Sequence, residues 1–137
     1  MEIKTIIIDT NAYSEFKKGN PAAVEIIRSV VNIVLCPIVI GELLAGFVLG
    51  TREETNRKEL KEFILSKRVI VINIDNLTAE CFAHIFKSLK IKGTPLPTND
   101  IWIAALAKQY EYPIFTFDKH FLQVENLTAI CKPEDLY

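Results

Sequence analysis

Cysteine is scarce in this 137-residue chain, and its three residues, Cys36, Cys81 and Cys131, are odd in number and far apart, with no C-x-x-C pair. That excludes a disulfide framework and a paired-thiolate zinc knuckle, and it predicts reduced thiols in a cytoplasmic setting. Charge of one sign is also missing: 16 Lys and Arg face 17 Asp and Glu, a formal net charge of −1. No overall positive field marks a nucleic-acid partner, so any such binding must be local. No apolar run is long and clean enough for a membrane span. The longest, residues 30–50, is interrupted by Asn32, Pro37 and Glu42 and predicts a buried strand followed by a buried helix. The apolar run after Glu2 and Lys4 is too short for a signal-peptide core, and no small-residue cleavage site follows it. With 5 Gly, 6 Pro, no repeat and no low-complexity linker, nothing divides the chain, which reads as a single domain over residues 1–137. What is present is a 50% hydrophobic, 24% charged composition, and folding at this length buries roughly two thirds of the unfolded surface.

Punctuation marks alternating elements. Residues 3–8 form a β-branched run that predicts a buried strand, followed by a polar turn and a short helix through Phe16 and Lys18 that Gly19, Asn20 and Pro21 end. Pro21 opens a second helix with Val24, Ile27 and Val31 on one face, and residues 33–36 predict a second strand. Pro37 suits the first turn of the helix IVIGELLAGFVLG, apolar nearly all round and therefore expected to be buried on most sides. Thr51 is the expected cap of the next helix, where Glu53 and Arg57, and Glu54 and Lys58, stand at i,i+4 spacing and Leu60, Phe63 and Ile64 form an apolar patch. This helix pair is expected to project from the body. Residues 69–72 predict a third strand, and 75–90 a helix with an inward stripe of Cys81, Phe82, Ile85 and Leu89, stopped by Gly93. Thr98 is the expected cap of NDIWIAALAKQY, 113–117 a fourth strand and 127–130 a short fifth. Strands alternating with helices predict an α/β sandwich around a mainly parallel sheet.

Four acids carry the chemistry. Ligands of an open parallel sheet sit beyond the carboxyl ends of its strands, and Asp9 follows TIII while Asp118 follows PIFTF. Either alone could be a turn or cap residue. Glu42 has Ile38, Val39, Ala45 and Gly46 as helical neighbours, which predicts a desolvated carboxylate with a basic or metallic partner. Asp100, in the first turn after Thr98, complements a helix dipole. Four acids on four segments, each beside an apolar element, exceed what capping requires. Clustered carboxylates stay ionised together around hard cations such as Mg²⁺ or Mn²⁺, and metal-assisted phosphodiester hydrolysis uses such a site.

Other candidates are bland. Cys81 and His84 are three apart but have no second ligand pair, and His120 beside Asp118 reads first as a solvated loop residue. Ser14 has no base partner in sequence and reads as a polar neighbour of Asp9. No nucleotide-cradling glycine loop is present. Between residues 51 and 68, Arg52, Arg57, Lys58, Lys61, Lys67 and Arg68 outnumber Glu53, Glu54, Glu59 and Glu62, and Lys87, Lys90 and Lys92 form a second basic spot. Both read first as solvated faces that RNA phosphate could meet.

The motifs IIIDTNAYSE, IGELLAG, TNDIWIAALA and TFDKHF, in this order, resemble those of the PIN-domain ribonucleases, and among them the VapC-like toxins of prokaryotic toxin–antitoxin pairs. The resemblance covers essentially the whole chain. It implies a three-layer α/β/α sandwich, an acidic quartet of Asp9, Glu42, Asp100 and Asp118 holding Mg²⁺ or Mn²⁺, and supporting polar positions at Asn11, Ser14 and Thr116. It further implies endonucleolytic hydrolysis of RNA by metal-activated water, a cognate antitoxin as partner, a homodimer and no membrane association. A PIN-type processing nuclease without a toxin role and a catalytically idle RNA-binding module are the alternatives within this fold. A phosphoaspartate enzyme or a receiver domain also places Asp at strand ends, but the D-x-D motif of the former is absent, because Asp9 is followed by Thr10 and Asn11, and a receiver has no use for Glu42.

Overall fold

The computed structural model describes residues 2–137. Five strands, β1 (Thr5–Ile8), β2 (Asn32–Leu35), β3 (Val69–Val71), β4 (Ile114–Phe115) and β5 (Ala129–Ile130), form one sheet in the order β3-β2-β1-β4-β5. Every pairing is parallel, with Ile6 opposite Ile33, Ile7 opposite Ile114 and Ile33 opposite Val69. The β-branched runs are central because both their faces are covered: Ile6, Ile7, Ile8, Ile33, Val34 and Ile114 are all buried.

The six α-helices are α1 (Thr10–Lys17), α2 (Pro21–Ser29), α3 (Pro37–Leu49), α4 (Glu53–Leu65), α5 (Asn76–Lys92) and α6 (Thr98–Tyr110). A short 3₁₀ turn, Lys119–Gln123, follows β4. Right-handed crossovers from β1 through β2 to β3 put α1 to α4 on one face of the sheet. The return from β3 to β4 puts α5 and α6 on the other, completing the three layers. Strand order therefore reverses between β1 and β4, and their carboxyl ends flank the crevice in which such sheets bind ligands.

Several local expectations hold in detail. Gly93 ends α5 in the left-handed conformation at φ 70°, and Gly19 follows α1 at φ 83°. Ile85 and Leu89 of the α5 stripe are buried, with Cys81 and Phe82 packed partly against the core. Glu53 and Arg57 pair at 2.8 Å.

Other expectations are corrected. Neither threonine caps its helix: Arg52 and Pro97 occupy the N-cap positions of α4 and α6 without side-chain bonds, and Thr98 is itself the first helical residue. Val31 lies beyond α2 and is exposed, while Ala23, Ile26 and Ile27 form the buried face of that helix. Helix α3 is not enclosed. Only Val39 and Leu43 are buried, whereas Val48 and Leu49 are 51% and 89% exposed, because the packing of α3 on α1, α4 and α6 leaves that end of the helix uncovered. Nor does the whole α3–α4 pair stand away from the body. The Phe63 ring packs edge-on against Tyr13 of α1 at 5.1 Å, and Lys17 bridges to Glu59 at 3.0 Å, so the exposed connection through Gly50 and Thr51 is what protrudes.

Arg68 is not a solvated charge. Its Nη2 donates to the Ile27 carbonyl and, at 2.6 Å, to that of Val30, clasping the carboxyl end of α2. Among the described residues, no helix is long and apolar enough to cross a membrane.

Candidate active site

Because Ile8 is the last residue of a fully buried strand, Asp9 leaves the sheet with its side chain in the crevice, only 4% exposed. It is the N-cap of α1: Oδ1 accepts from the Ala12 amide at 2.8 Å, and Oδ2 accepts from the Thr116 hydroxyl. Thr116 stands just beyond β4 and also accepts, at Oγ1, from the Asp118 amide at 2.9 Å. One hydroxyl thus ties together the chain segments leaving the two central strands. Asn11 adds a second tie, its Oδ1 accepting from the Phe117 amide at 3.2 Å.

Asp118 caps the 3₁₀ turn through Oδ1, which accepts from the His120 amide at 2.9 Å and lies 3.1 Å from His120 Nδ1. Asp100 stands in the first turn of α6, whose residues Ile101 and Ile103 to Ala107 are buried. Helix α3 packs on both α1 and α6, which delivers Glu42 to the same crevice. Its Oε1 accepts from the Thr10 hydroxyl at 2.6 Å and its Oε2 from the Asn99 amide at 3.4 Å. Ser14 is placed differently, lining a notch between α1, α3 and α4.

The expected environment of Glu42 is corrected on one point. It is half-buried, and neutral donors rather than a basic side chain serve it, because the Gly41 and Ala45 side of α3 faces solvent. Thr10 and Asn99 are the site residues that sequence reasoning missed. Each directly adjoins a candidate acid, and that adjacency was the available signal.

The acids act on one another through their charges. Burial pushes the Asp9 carboxyl up to about 6 against the lowering effect of its Thr116 and Ala12 hydrogen bonds, and the charges of Asp100 and Asp118 add to the rise. Asp100 is also pushed up to about 6, first by burial and then by Asp118 and Glu42, with His120 opposing. Among the described residues, no ion pair with Lys or Arg reaches Asp9, Glu42 or Asp100.

Nor do three His, Cys, Asp or Glu side chains converge there into a ready-made metal cage. The donor chemistry nevertheless fits a hard divalent cation, being all oxygen and rich in carboxylates without a countercharge. Each Asp9 oxygen accepts one bond and retains a second lone pair.

The profile of the PIN domain matches residues 6–127. Ribonuclease VapC4 of Mycobacterium tuberculosis is 27% identical over 93 residues, covering 68% of this chain and 72% of that protein. The plasmid stability protein StbB of Pseudomonas syringae pv. tomato is 26% identical over 133 residues, covering 91% and 96%. The solved structure of VapBC2 from Rickettsia felis, bound to a DNA fragment from its promoter, superimposes with a TM-score of 0.82. It has 21% identity over 92% of this chain and 97% of that one.

Proposed function

The chain belongs to the PIN-domain family, and from that premise we propose that it is a Mg²⁺- or Mn²⁺-dependent endoribonuclease acting as the toxin of a type II toxin–antitoxin pair. The observation that carries the reading is the acidic crevice at the β1–β4 switch point, where two carboxyls are pushed up to about 6 and no basic side chain neutralises them. Its relatives support the direction of the reading, one being named a ribonuclease and another a plasmid stability protein.

Asp9, Asp100, Asp118 and Glu42 are the residues that would hold the cation. Bound there, it supplies Lewis-acid stabilisation of charge on the phosphodiester and activation of the attacking water. The remaining work belongs to the chain. Ala12 and Thr116 fix both oxygens of Asp9, so its orientation is set before substrate arrives. Thr10 and Asn99 do the same for Glu42. Asn11 and Thr116 hold the segment that presents Asp118, and the exposed His120 imidazole beside Asp118 is placed to meet a substrate phosphate.

The protein acts in the cytoplasm as one domain over residues 1–137, and its inhibitor is a small antitoxin. That inhibitor covers the crevice and the apolar strip of Leu44, Phe47 and Val48 on α3, of which Val48 is the most exposed. Two assays test this. Purified protein cuts RNA with Mg²⁺ or Mn²⁺ and stops in EDTA, and expression without a partner arrests growth. Cleavage that persists in EDTA overturns the metal mechanism. Harmless expression of a protein that cuts RNA overturns the toxin role in favour of a processing nuclease.

A further inference from the structure

On the flank of α5 that faces the loop after the 3₁₀ turn lies a cavity of about 360 Å³. Ile85 and Leu89 of α5 and Val124 of the loop give it apolar walls, and His84, Ser88 and Lys108 add polar groups. Lys108 is half-buried, and its Nζ donates to the Glu125 carbonyl at 2.9 Å, which uses one of the ammonium's three donors. The Glu125 carboxylate is drawn instead toward Lys92, at 3.7 Å. Among the described residues, no carboxylate pairs with Lys108.

A half-buried ammonium without a countercharge, set among apolar walls, is screened less than one in open water and attracts an anion. The volume is in the range of small-molecule sites, about 300–1,000 Å³, and well beyond what a bare anion fills. Phosphate by itself would leave the apolar walls uncovered, and an apolar ring by itself would leave the ammonium unmatched. The lining therefore fits an anion carried on a flat ring whose edges make hydrogen bonds, for which Ser88 and His84 are placed. A nucleotide unit has all of these parts. Position supplies its source. Val124 directly follows the 3₁₀ turn that Asp118 caps, and the five residues of that turn advance about 10 Å. A strand with a phosphodiester at Asp118 comes within a short run of nucleotides of the cavity.

We propose that the cavity is a subsite for one nucleotide of the RNA strand flanking the cleaved bond, its phosphate on the Lys108 ammonium and its base against Ile85, Leu89 and Val124. The inference deepens the ribonuclease reading and rests on it for the source of the nucleotide. The cavity's chemistry is separate from that of the acidic crevice.

The chain has two histidines, so imidazole resonances distinguish the cavity, at His84, from the crevice, at His120. AMP and UMP are the probes, titrated in EDTA into the purified protein and followed by NMR. The expected result is a saturable shift of His84 in the millimolar range with at least one of them, and a response to adenosine, inorganic phosphate and butyrate about tenfold weaker or less. Lys108→Met should weaken nucleotide binding about tenfold or more. Ser88→Leu, which fills the cavity and leaves the ammonium in place, should abolish it. In RNA cleavage, Lys108→Met should raise KM about fivefold or more and leave kcat within about twofold, the pattern of binding lost equally from ground and transition states. A His84 resonance that neither nucleotide moves, an equal response to phosphate or butyrate, or unchanged binding in either variant overturns the nucleotide site. An unchanged KM in Lys108→Met assigns the cavity to a free nucleotide and overturns the RNA subsite. Absence of RNA cleavage by the wild-type protein fells the nuclease reading, and the titration still decides the cavity's chemistry.

Discussion

At the scale of single residues, the crevice acids trade stability for chemistry. A carboxyl whose folded-state pKa lies near 6, as for Asp9 and Asp100, binds protons more readily in the native than in the unfolded chain between about pH 4 and pH 6. The unfolded chain therefore holds fewer protons in that window, and the contribution of these two groups to stability falls as pH rises through it. In chelator, thermal melts are expected to give a higher midpoint at pH 5 than at pH 7.5, and Mg²⁺ is expected to recover part of the difference at pH 7.5. A midpoint that rises steadily from pH 5 to pH 7.5 contradicts this account.

Asp100→Asn separates the two roles. It removes a charge that burial penalises and that Asp118 and Glu42 repel, while keeping the side chain's shape, so metal-free stability at pH 7.5 should rise by about 1 kcal/mol after allowance for solvent screening. RNA cleavage should fall by at least about a hundredfold. Melting and cleavage measured on the same preparation check both halves. Sequence position alone placed all four acids beside apolar elements, and the structure brings them to one crevice. It did not reveal that Thr10 and Asn99 orient Glu42, since those contacts join residues 32 and 57 positions apart.

At the scale of elements, the carboxyl end of α2 depends on a residue from a distant segment. Arg68 donates from one nitrogen to two carbonyls that the helix cannot satisfy itself. Hydrogen bonds from a charged donor contribute about 1.5–3 kcal/mol, so Arg68→Met should destabilise the fold by about 2 kcal/mol in urea unfolding. Arg68→Lys should recover only part of this, because the lysine side chain is one atom shorter and its ammonium falls short of the position from which Nη2 reaches both carbonyls. Equal stability of all three proteins would remove the clasp from the account. Helix α5 makes the opposite point: its stop is local. Gly93 sits at φ 70°, and Gly93→Ala should cost about 1 kcal/mol through backbone strain, read as a lower urea midpoint at unchanged slope.

At the scale of the whole molecule, the face of α5 and α6 remains open. Phe82 lies 4.2 Å from the Trp102 ring and stacks at 6.2 Å with Phe86, which is 50% exposed. Ile91 beyond it is exposed as well. A net charge of −1 gives little self-repulsion, so two copies are expected to associate, with light scattering at micromolar concentration reading a dimer. Phe86→Asp is expected to shift the mass toward the monomer. A monomer mass for the wild-type chain with undiminished RNA cleavage would make one copy the complete catalytic unit.

What the sequence determined by itself is what short-range chemistry encodes. β-Branched runs at 3–8 and 33–36 predict buried strands, which form over Thr5–Ile8 and Asn32–Leu35, the acids at 9 and 118 come just after strands, and Gly93 ends a helix. The tertiary structure alone decided which apolar side chains are covered. Helix α3 reads as uniformly apolar, yet Val39 and Leu43 are buried while Val48 and Leu49 meet solvent. Burial depends on partners elsewhere in the chain, and the local pattern carries no record of them. The same holds for Arg68, whose charge looked like one of a solvated cluster until the fold set the carbonyls of Ile27 and Val30 against it, 41 and 38 residues away.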